Sequence, residues 1–280
     1  MKPLIFQSDF GLADGAVSAM HGVAFSVCPD LNIQDLTHEI PQYDIWEASY
    51  RLTQTIRYWM EGTVFVSVVD PGVGSDRRSV VAKTMNGVYI VTPDNGTLTH
   101  IKQFVGITEL REIDERVNRL PGTAEDYTFH GRDVYAYTGA RLASGLITFE
   151  EVGPSLDPQT ALELPTYPCW IDGGDTAVGT IDVLDVRFGN VWTNIRRSVV
   201  RELNLSYGDR VEVEISCEGR LYYKHELVYT RSFSQVSVGE PLAYINSLDC
   251  LAVAINQGSF AKAYNIGTGN NWLMRVRKIR

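Results

Sequence analysis

The 280-residue chain predicts an α/β domain followed by an all-β domain, the latter an antiparallel barrel or sandwich. Three observations carry this expectation. Over the first half, apolar runs of strand length alternate with segments of helical period. A proline-rich stretch without periodicity, from Gly153-Pro154 to Pro165 and Pro168, then interrupts the pattern. From Trp170 onward, short β runs alternate with turns at roughly regular spacing, and no long helix is expected. The expected division is an N-terminal α/β domain over 1–153, a linker over 154–169 and a C-terminal domain over 170–280.

Composition narrows the partners. A formal net charge of −9 argues against nucleic acid or an anionic membrane surface, since both need a basic face. No apolar run approaches the roughly 20 residues needed to span a bilayer. Four scattered cysteines (Cys28, Cys169, Cys217, Cys250) show neither a CxxC pair nor metal-ligand spacing and suit reduced thiols. The chain opens directly into Leu4-Ile5-Phe6 with no export signal in view, so the cytoplasm is the expected location.

In chain order, Pro3 to Ser8 reads as a first strand, ending in Ser8-Asp9-Phe10-Gly11 and a loop that also carries Asp14. Val17, Met20, His21, Ala24, Phe25 and Cys28 follow at helical spacing, stopped by Pro29. A carboxylate in such a strand–loop–helix opening can accept from both hydroxyls of a ribose, and it can equally serve as a turn or cap acceptor. His21, on the packed face, reads as a structural histidine. Asn32 to Leu36 is a second strand. His38 beside Glu39 invites a metal reading, but no third ligand lies at useful spacing, and no metal is expected. A second helix shows Ile45, Ala48, Leu52, Ile56, Trp59 and Met60 on one face and closes at Gly62.

The run from Thr63 then reads as a buried strand that stops at Asp70, before Pro71, Gly72, Gly74, Arg77 and Arg78. The carboxyl end of such a strand is where open α/β sheets place their chemistry. Asn86-Gly87 marks a hairpin between Ser79–Thr84 and Val88–Pro93, Pro93-Asp94-Asn95-Gly96 a turn, and Ile107 to Ile113 a strand. Residues 114–126 are charged and irregular, a candidate mobile loop. Thr128-Phe129-His130-Gly131-Arg132-Asp133 then opens a helix over Val134 to Ser144. A histidine there is a general base, a hydrogen-bond donor or a cap. Beyond the linker, the expected strands are Val178–Val186, Val191–Ile195, Val211–Ser216, Leu221–Tyr229, Pro241–Ile245, Leu251–Ile255 and Trp272–Val276. Among them Asp185 to Asn194 and Tyr244-Ile245-Asn246-Ser247 are dense in polar and aromatic residues, as a ligand-binding rim would be.

Taken together, Ser8-Asp9-Phe10-Gly11, Val69-Asp70-Pro71-Gly72, Pro93-Asp94-Asn95-Gly96, Phe129-His130-Gly131-Arg132-Asp133 and Phe188-Gly189-Asn190-Val191-Trp192 resemble the S-adenosylmethionine (SAM) hydroxide adenosyltransferases, relatives of the SAM-dependent fluorinase and chlorinase. The match spans nearly the whole chain in the family's order. The resemblance implies an α/β N-terminal domain with a Rossmann-like layered sheet plus a C-terminal antiparallel β barrel. It also implies a homotrimer with SAM bound between the N-domain of one subunit and the C-domain of its neighbour.

By the same resemblance, Asp70, Arg77 and His130 handle water. Asp9 would hold the ribose diol, Asn190 and Phe188 would meet the adenine, Asp14, Asp185 and Ser247 would hold the methionine end, and Tyr43 would line the pocket. The halogenases carry arginines where this chain has Leu248 and Ile255, and a tyrosine at the position of Asp70.

The implied reaction is attack at C5′ of the adenosyl group with methionine leaving. SAM is the substrate, the sulfonium is already activated, and no cofactor is expected. A carboxylate within ~4 Å of a halide would repel it by ~4 kcal/mol at an effective dielectric of 20, about three decades in occupancy. Water reverses that preference because it sheds a proton as it attacks, and a base is then worth roughly 10²–10⁴-fold. The expectation is a SAM hydrolase forming adenosine. The alternatives are a SAM- or nucleoside-binding sensor with little catalysis and a SAM-dependent halogenase.

Overall fold

The computed structural model describes residues 1–279, and the chain divides into two units, Met1–Leu164 and the remainder from Pro165. In the first unit β1 (Leu4–Ser8) is buried along its whole length, as an apolar run covered on both faces must be. It leads through α1 (Ala16–Val27) to β2 (Ile33–Thr37), then through α2 (Ile45–Ile56) to β3 (Val64–Val68), which is equally buried. The hairpin of β4 (Ser79–Thr84) and β5 (Tyr89–Pro93) follows, with Gly87 at φ 75° in its turn. Then come α3 (Thr99–Phe104), β6 (Ile107–Glu112), a π-helical turn over Gly131–Ala136 running into α4 (Tyr137–Ser144), and β7 (Ser155–Leu156).

The sheet is mixed, in the order β2-β1-β3-β5-β4-β6-β7. Strands β2, β1, β3 and β5 run parallel, while β4 is antiparallel to β5 and β6. One face packs on α1, the π-helical turn and α4 through Met20, Ala24, Val134 and Ala140, and the other carries Leu52, Ile56 and Ile101 from α2 and α3. Gly139 lets α4 lie close on the sheet, since a Cβ there would stand 2.5 Å from Val66 Cγ2. Asp44 caps α2 by accepting from the Glu47 amide at 2.8 Å, a contact worth ~1 kcal/mol.

In the second unit β8 (Trp170–Asp172) precedes β9 (Thr176–Leu184) and β10 (Val191–Arg196); α5 (Arg197–Glu202) then leads to β11 (Arg210–Cys217) and β12 (Arg220–Tyr229). After β13 (Pro241–Ile245) and β14 (Cys250–Ile255), α6 (Phe260–Tyr264) comes before β15 (Gly269–Lys278). The sheet order is β10-β14-β13-β12-β11-β15-β9-β8, and a further pairing of β10 with β9 closes it into a seven-stranded barrel with β8 on the outside. A barrel rather than a sandwich therefore follows the α/β unit. One pair, β12 with β13, is parallel, because the chain crosses over between Tyr229 and Pro241 instead of turning back in a hairpin.

Several local expectations change. Phe25 is exposed (46%) although it shares the helical spacing of buried neighbours, and Met60 is exposed (63%) because α2 ends at Ile56, short of the expected close at Gly62. The turn at Asp94 leads into α3, too short for its period to stand out in the sequence. The helix expected from Val134 starts earlier, as the π-helical turn. Segment 114–126 is tied down: Asn118 is fully buried, its Nδ2 donates to Val152 O at 2.9 Å, and Arg119 Nη1 donates to Asp126 O at 3.0 Å. Residues between 154 and 164 pair with the first unit, through β7 on β6 and through the Leu162 amide donating to Asp94 at 2.8 Å.

No helix among the described residues is long and apolar enough to cross a membrane.

Candidate active site

In the first unit, the chain runs from β1 through α1 to β2 on one flank, then back through α2 on the opposite face of the sheet to β3 on the other flank of β1. This opens a crevice at the carboxyl ends of β1 and β3, the usual ligand position in such sheets. Ser8 pairs with Val68 in the register, which sets Asp9 and Asp70 just beyond the two strand ends. A cavity of about 340 Å³ lies there, lined by Asp9, Asp14, Tyr43, Asp70 and His130 together with Phe10 and Phe129.

Arg77 does not line the cavity but clamps Asp70 from behind. Its Nε donates to both carboxylate oxygens at 2.9 Å, and its Nη2 donates to Oδ2 at 2.5 Å. The same Nη2 stands 3.1 Å from His130 Nδ1. Burial works against the Arg77 charge, but the Asp70 hydrogen bond, with Tyr135 and Glu115 behind it, leaves its pKa above the ordinary value. His130 is held below its ordinary 6.5, first by burial and then by the charges of Arg77 and Arg119, against the opposing pull of Glu115 and Asp70. Gly131 follows His130 where a Cβ would stand 3.1 Å from Val68 Cγ1, so a larger residue would push the histidine's turn off β3.

The remaining acids of this cavity already have partners. Asp9 Oδ2 accepts from the Tyr43 amide at 2.9 Å, while Asp14 Oδ1 accepts from the Ala16 amide at 2.9 Å at the start of α1. Tyr43 has φ 66° and a largely exposed ring, an uncommon backbone state that points an aromatic side chain outward at the rim.

In the second unit, a separate cavity of about 750 Å³ opens at the end of the barrel, lined by Asp185, Phe188, Asn190, Trp192, Tyr244 and Ser247, among others. Asn190 is buried, its Nδ2 donates to Asp185 Oδ2 at 3.2 Å, and the Asp185 amide donates back to Asn190 O at 2.9 Å. Phe188, 67% exposed, sits at the tip of that turn. Gly189 makes the turn possible: its φ is 67°, and a Cβ there would run into Ser259 Oγ. Trp192 Nε1 donates to Tyr244 Oη at 3.2 Å, and Phe233 packs against Tyr244 at 5.0 Å between centroids. The side of Ile255 also faces this cavity.

The sequence-read residues thus fall into two groups, each within its own unit: Asp9, Asp14, Tyr43, Asp70, Arg77 and His130 in the first, and Asp185, Phe188, Asn190 and Ser247 in the second. Sequence reasoning passed over Glu115 and Arg119, whose only sequence signal is an opposite-charge pair four residues apart. It also passed over the partners of His38. His21, Asp35 and His38 bring three metal-capable ligand atoms within 4.8 Å of one another, and Glu39 is not among them. Asp35 Oδ1 lies 2.9 Å from His21 Nε2 and 3.1 Å from His38 Nε2, while His38 Nδ1 is 2.7 Å from Ser8 Oγ. The cluster ties α1 to β2.

Residues 4–153 match the family model described as the SAM hydroxide adenosyltransferase N-terminal domain, and residues 179–273 match that of the C-terminal domain. A Thermus thermophilus protein named (R)-S-adenosyl-L-methionine hydrolase is 36% identical, over 96% of this chain and 98% of its own. A Nocardia brasiliensis protein named fluorinase is 30% identical, over 98% of this chain and 97% of its own. The crystal structure of an uncharacterized conserved protein from Thermotoga maritima superposes with a TM-score of 0.87 at 30% identity, covering 98% of this chain and 99% of that one.

Proposed function

The chain belongs to the SAM hydroxide adenosyltransferase family, and from that premise we propose that it splits S-adenosyl-L-methionine and water into adenosine and L-methionine. The relatives named hydrolase carry the (R) descriptor in their names, so the (R) sulfonium epimer is the proposed substrate form. Because other relatives are named fluorinase, membership alone leaves the nucleophile open. The observation that carries the choice of water is the Asp70 carboxylate, clamped by Arg77 beside His130 at the wall of the cavity. A halide there would meet a negative charge, whereas water meets an acceptor for the proton it must lose.

In this reading the water oxygen bonds to C5′, the C5′–S bond breaks, and its electron pair goes to sulfur, leaving methionine as a neutral thioether. The water proton is taken up within the Asp70–His130 pair. Holding oxygen, carbon and sulfur in line in a dry site can supply ~7–11 kcal/mol of the barrier. The sulfonium carries its own activation, so no metal or cofactor enters the proposed chemistry.

We assign the ribose diol to Asp9, the adenine to Asn190 and Phe188, the methionine end to Asp14, Asp185 and Ser247, and a pocket wall to Tyr43. The Asp9 carboxylate at the cavity wall and the displayed Phe188 ring support these roles. A homotrimer, with each substrate held by the first unit of one subunit and the second unit of its neighbour, belongs to the same proposal. So does a cytoplasmic setting, in keeping with the free cysteines.

The test is to incubate the purified protein with each SAM epimer, with and without fluoride or chloride, and to separate the nucleosides. Adenosine matched by methionine in every sample is expected. A 5′-halo-adenosine would overturn the nucleophile, and unchanged SAM that still stabilises the protein would favour the sensor.

A further inference from the structure

His130 is gripped on both ring nitrogens by groups that only donate. Arg77 Nη2 stands 3.1 Å from Nδ1, and Arg119 Nη2 stands 3.2 Å from Nε2. Arg119 is itself held: Nη2 donates to Glu115 Oε2 at 2.5 Å, and Nη1 donates to the carbonyls of Thr123 and Asp126 at 3.3 and 3.0 Å. The chain of contacts then closes on itself. Ser79 Oγ donates to Glu115 Oε1 at 3.1 Å and accepts from Arg77 Nη1 at 3.2 Å. Arg77, His130, Arg119, Glu115 and Ser79 form one ring of side chains, from which Asp70 projects into the cavity.

A guanidinium has no lone pair to offer. A neutral imidazole has one lone pair and a protonated imidazole has none, so His130 accepts from at most one arginine and loses that bond on taking a proton. The charged and titratable groups that face it are Asp70 from the loop after β3, Arg77 from the segment before β4, and Glu115 and Arg119 from the segment after β6. We infer that Arg119, held by Glu115, is a positioning residue that keeps His130 neutral and in place beside Asp70, so that the pair is free of a proton of its own when water must give one up. This rests on the hydrolase reading for its reaction, but not for its first measurement. In the step itself the O–C5′ bond forms, the C5′–S pair leaves with methionine, and the proton passes into the Asp70–His130 pair and then to solvent.

The test is an NMR titration of the His130 ring in the full-length protein, paired with the pH profile of kcat. Wild type should titrate below the ordinary 6.5. Arg119→Gln removes one cation and leaves Glu115 uncompensated, so the His130 midpoint should rise by roughly one pH unit, about tenfold in the neutral fraction below it. The acid limb of kcat should move with it, while activity at pH 8 falls by less. Arg119→Lys should restore much of the wild-type midpoint. Glu115→Gln should move the midpoint in the opposite direction, which keeps the inference exposed if Arg119→Gln fails to fold. An unmoved His130 midpoint in both charge-removing variants, or a loss of kcat equal at every pH, overturns the inference. A wild type that hydrolyses neither epimer overturns the hydrolase reading instead, and the titration still reports on Arg119.

Discussion

The two cavities of this chain are built from opposite materials. In the α/β unit, the wall is backed by charges that neutralise one another at hydrogen-bond distance: Asp70 on Arg77, Glu115 on Arg119, with His130 between the cations. In the barrel, the wall sets four aromatic rings, Phe188, Trp192, Phe233 and Tyr244, among amides such as Asn190 and Asn246, with Asp185 and Arg187 as its charged members. A rigid charge array is suited to a reacting oxygen, whose charge changes during the reaction. Flat rings with a few amides suit a nucleobase, whose charge does not change. The difference separates residues that should affect turnover from residues that should affect affinity.

The hardest blow to that separation is Asp70→Asn. If the charged wall acts on the transition state, kcat should fall at least a hundredfold while SAM affinity, read by calorimetry, stays within about threefold. Full activity in this variant would remove Asp70 from the chemistry. On the barrel side, Phe188→Ala and Asn190→Ala should each raise KM by roughly tenfold with kcat much less affected, as expected for lost base stacking and amide recognition. A fall in kcat with KM unchanged would erase the distinction.

A smaller effect sharpens the comparison through stability. His130 has a folded-state pKa below its ordinary 6.5, so the unfolded chain binds the extra proton first. Its contribution to stability is therefore complete above about pH 6.5 and falls away as the solution is acidified toward the folded value. In the barrel, burial pushes the Asp182 carboxyl up to about 7, against a hydrogen bond from Thr180 and the nearby charge of Arg196. Here the folded state keeps a proton that the unfolded chain has already lost, so stability falls as pH rises from about 4 toward 7 and levels off beyond. Urea unfolding of wild type, His130→Gln and Asp182→Asn at pH 5 and pH 8 checks both signs. Each substitution should flatten its own pH dependence, and in opposite directions.

Much of the architecture was legible because it is written in local pattern. The continuous apolar runs ending at Ser8 and Val68, and the evenly spaced β runs after Trp170, each state their burial residue by residue. Asp70 stood out because an acid at the end of such a run, before glycines, sits where open α/β sheets place their chemistry, although an acid-capped tight turn has the same local pattern. What stayed hidden depends on contacts between distant residues. Arg119 meets His130 from a segment without periodicity, and Asp35 meets both His21 and His38 only because α1 folds back on β2. Phe25 keeps helical spacing within α1, yet its side chain reaches no core, and Met60 keeps the spacing of α2 but lies beyond its end at Ile56, where the period no longer sets a direction.

The way both sheets terminate has a consequence for life at high concentration. The barrel closes β10 onto β9, so within its ring no strand offers a free row of amides and carbonyls. The α/β sheet ends on one side at β7, two residues long, and on the other at β2, whose Gln34 and Asp35 are exposed. An unpaired strand is a template on which another chain can add by backbone hydrogen bonding, and short or charged borders deny it that template. Protection against strand-to-strand addition is thus built into the margins of the sheets themselves, by closure in one unit and by a short or charged border in the other.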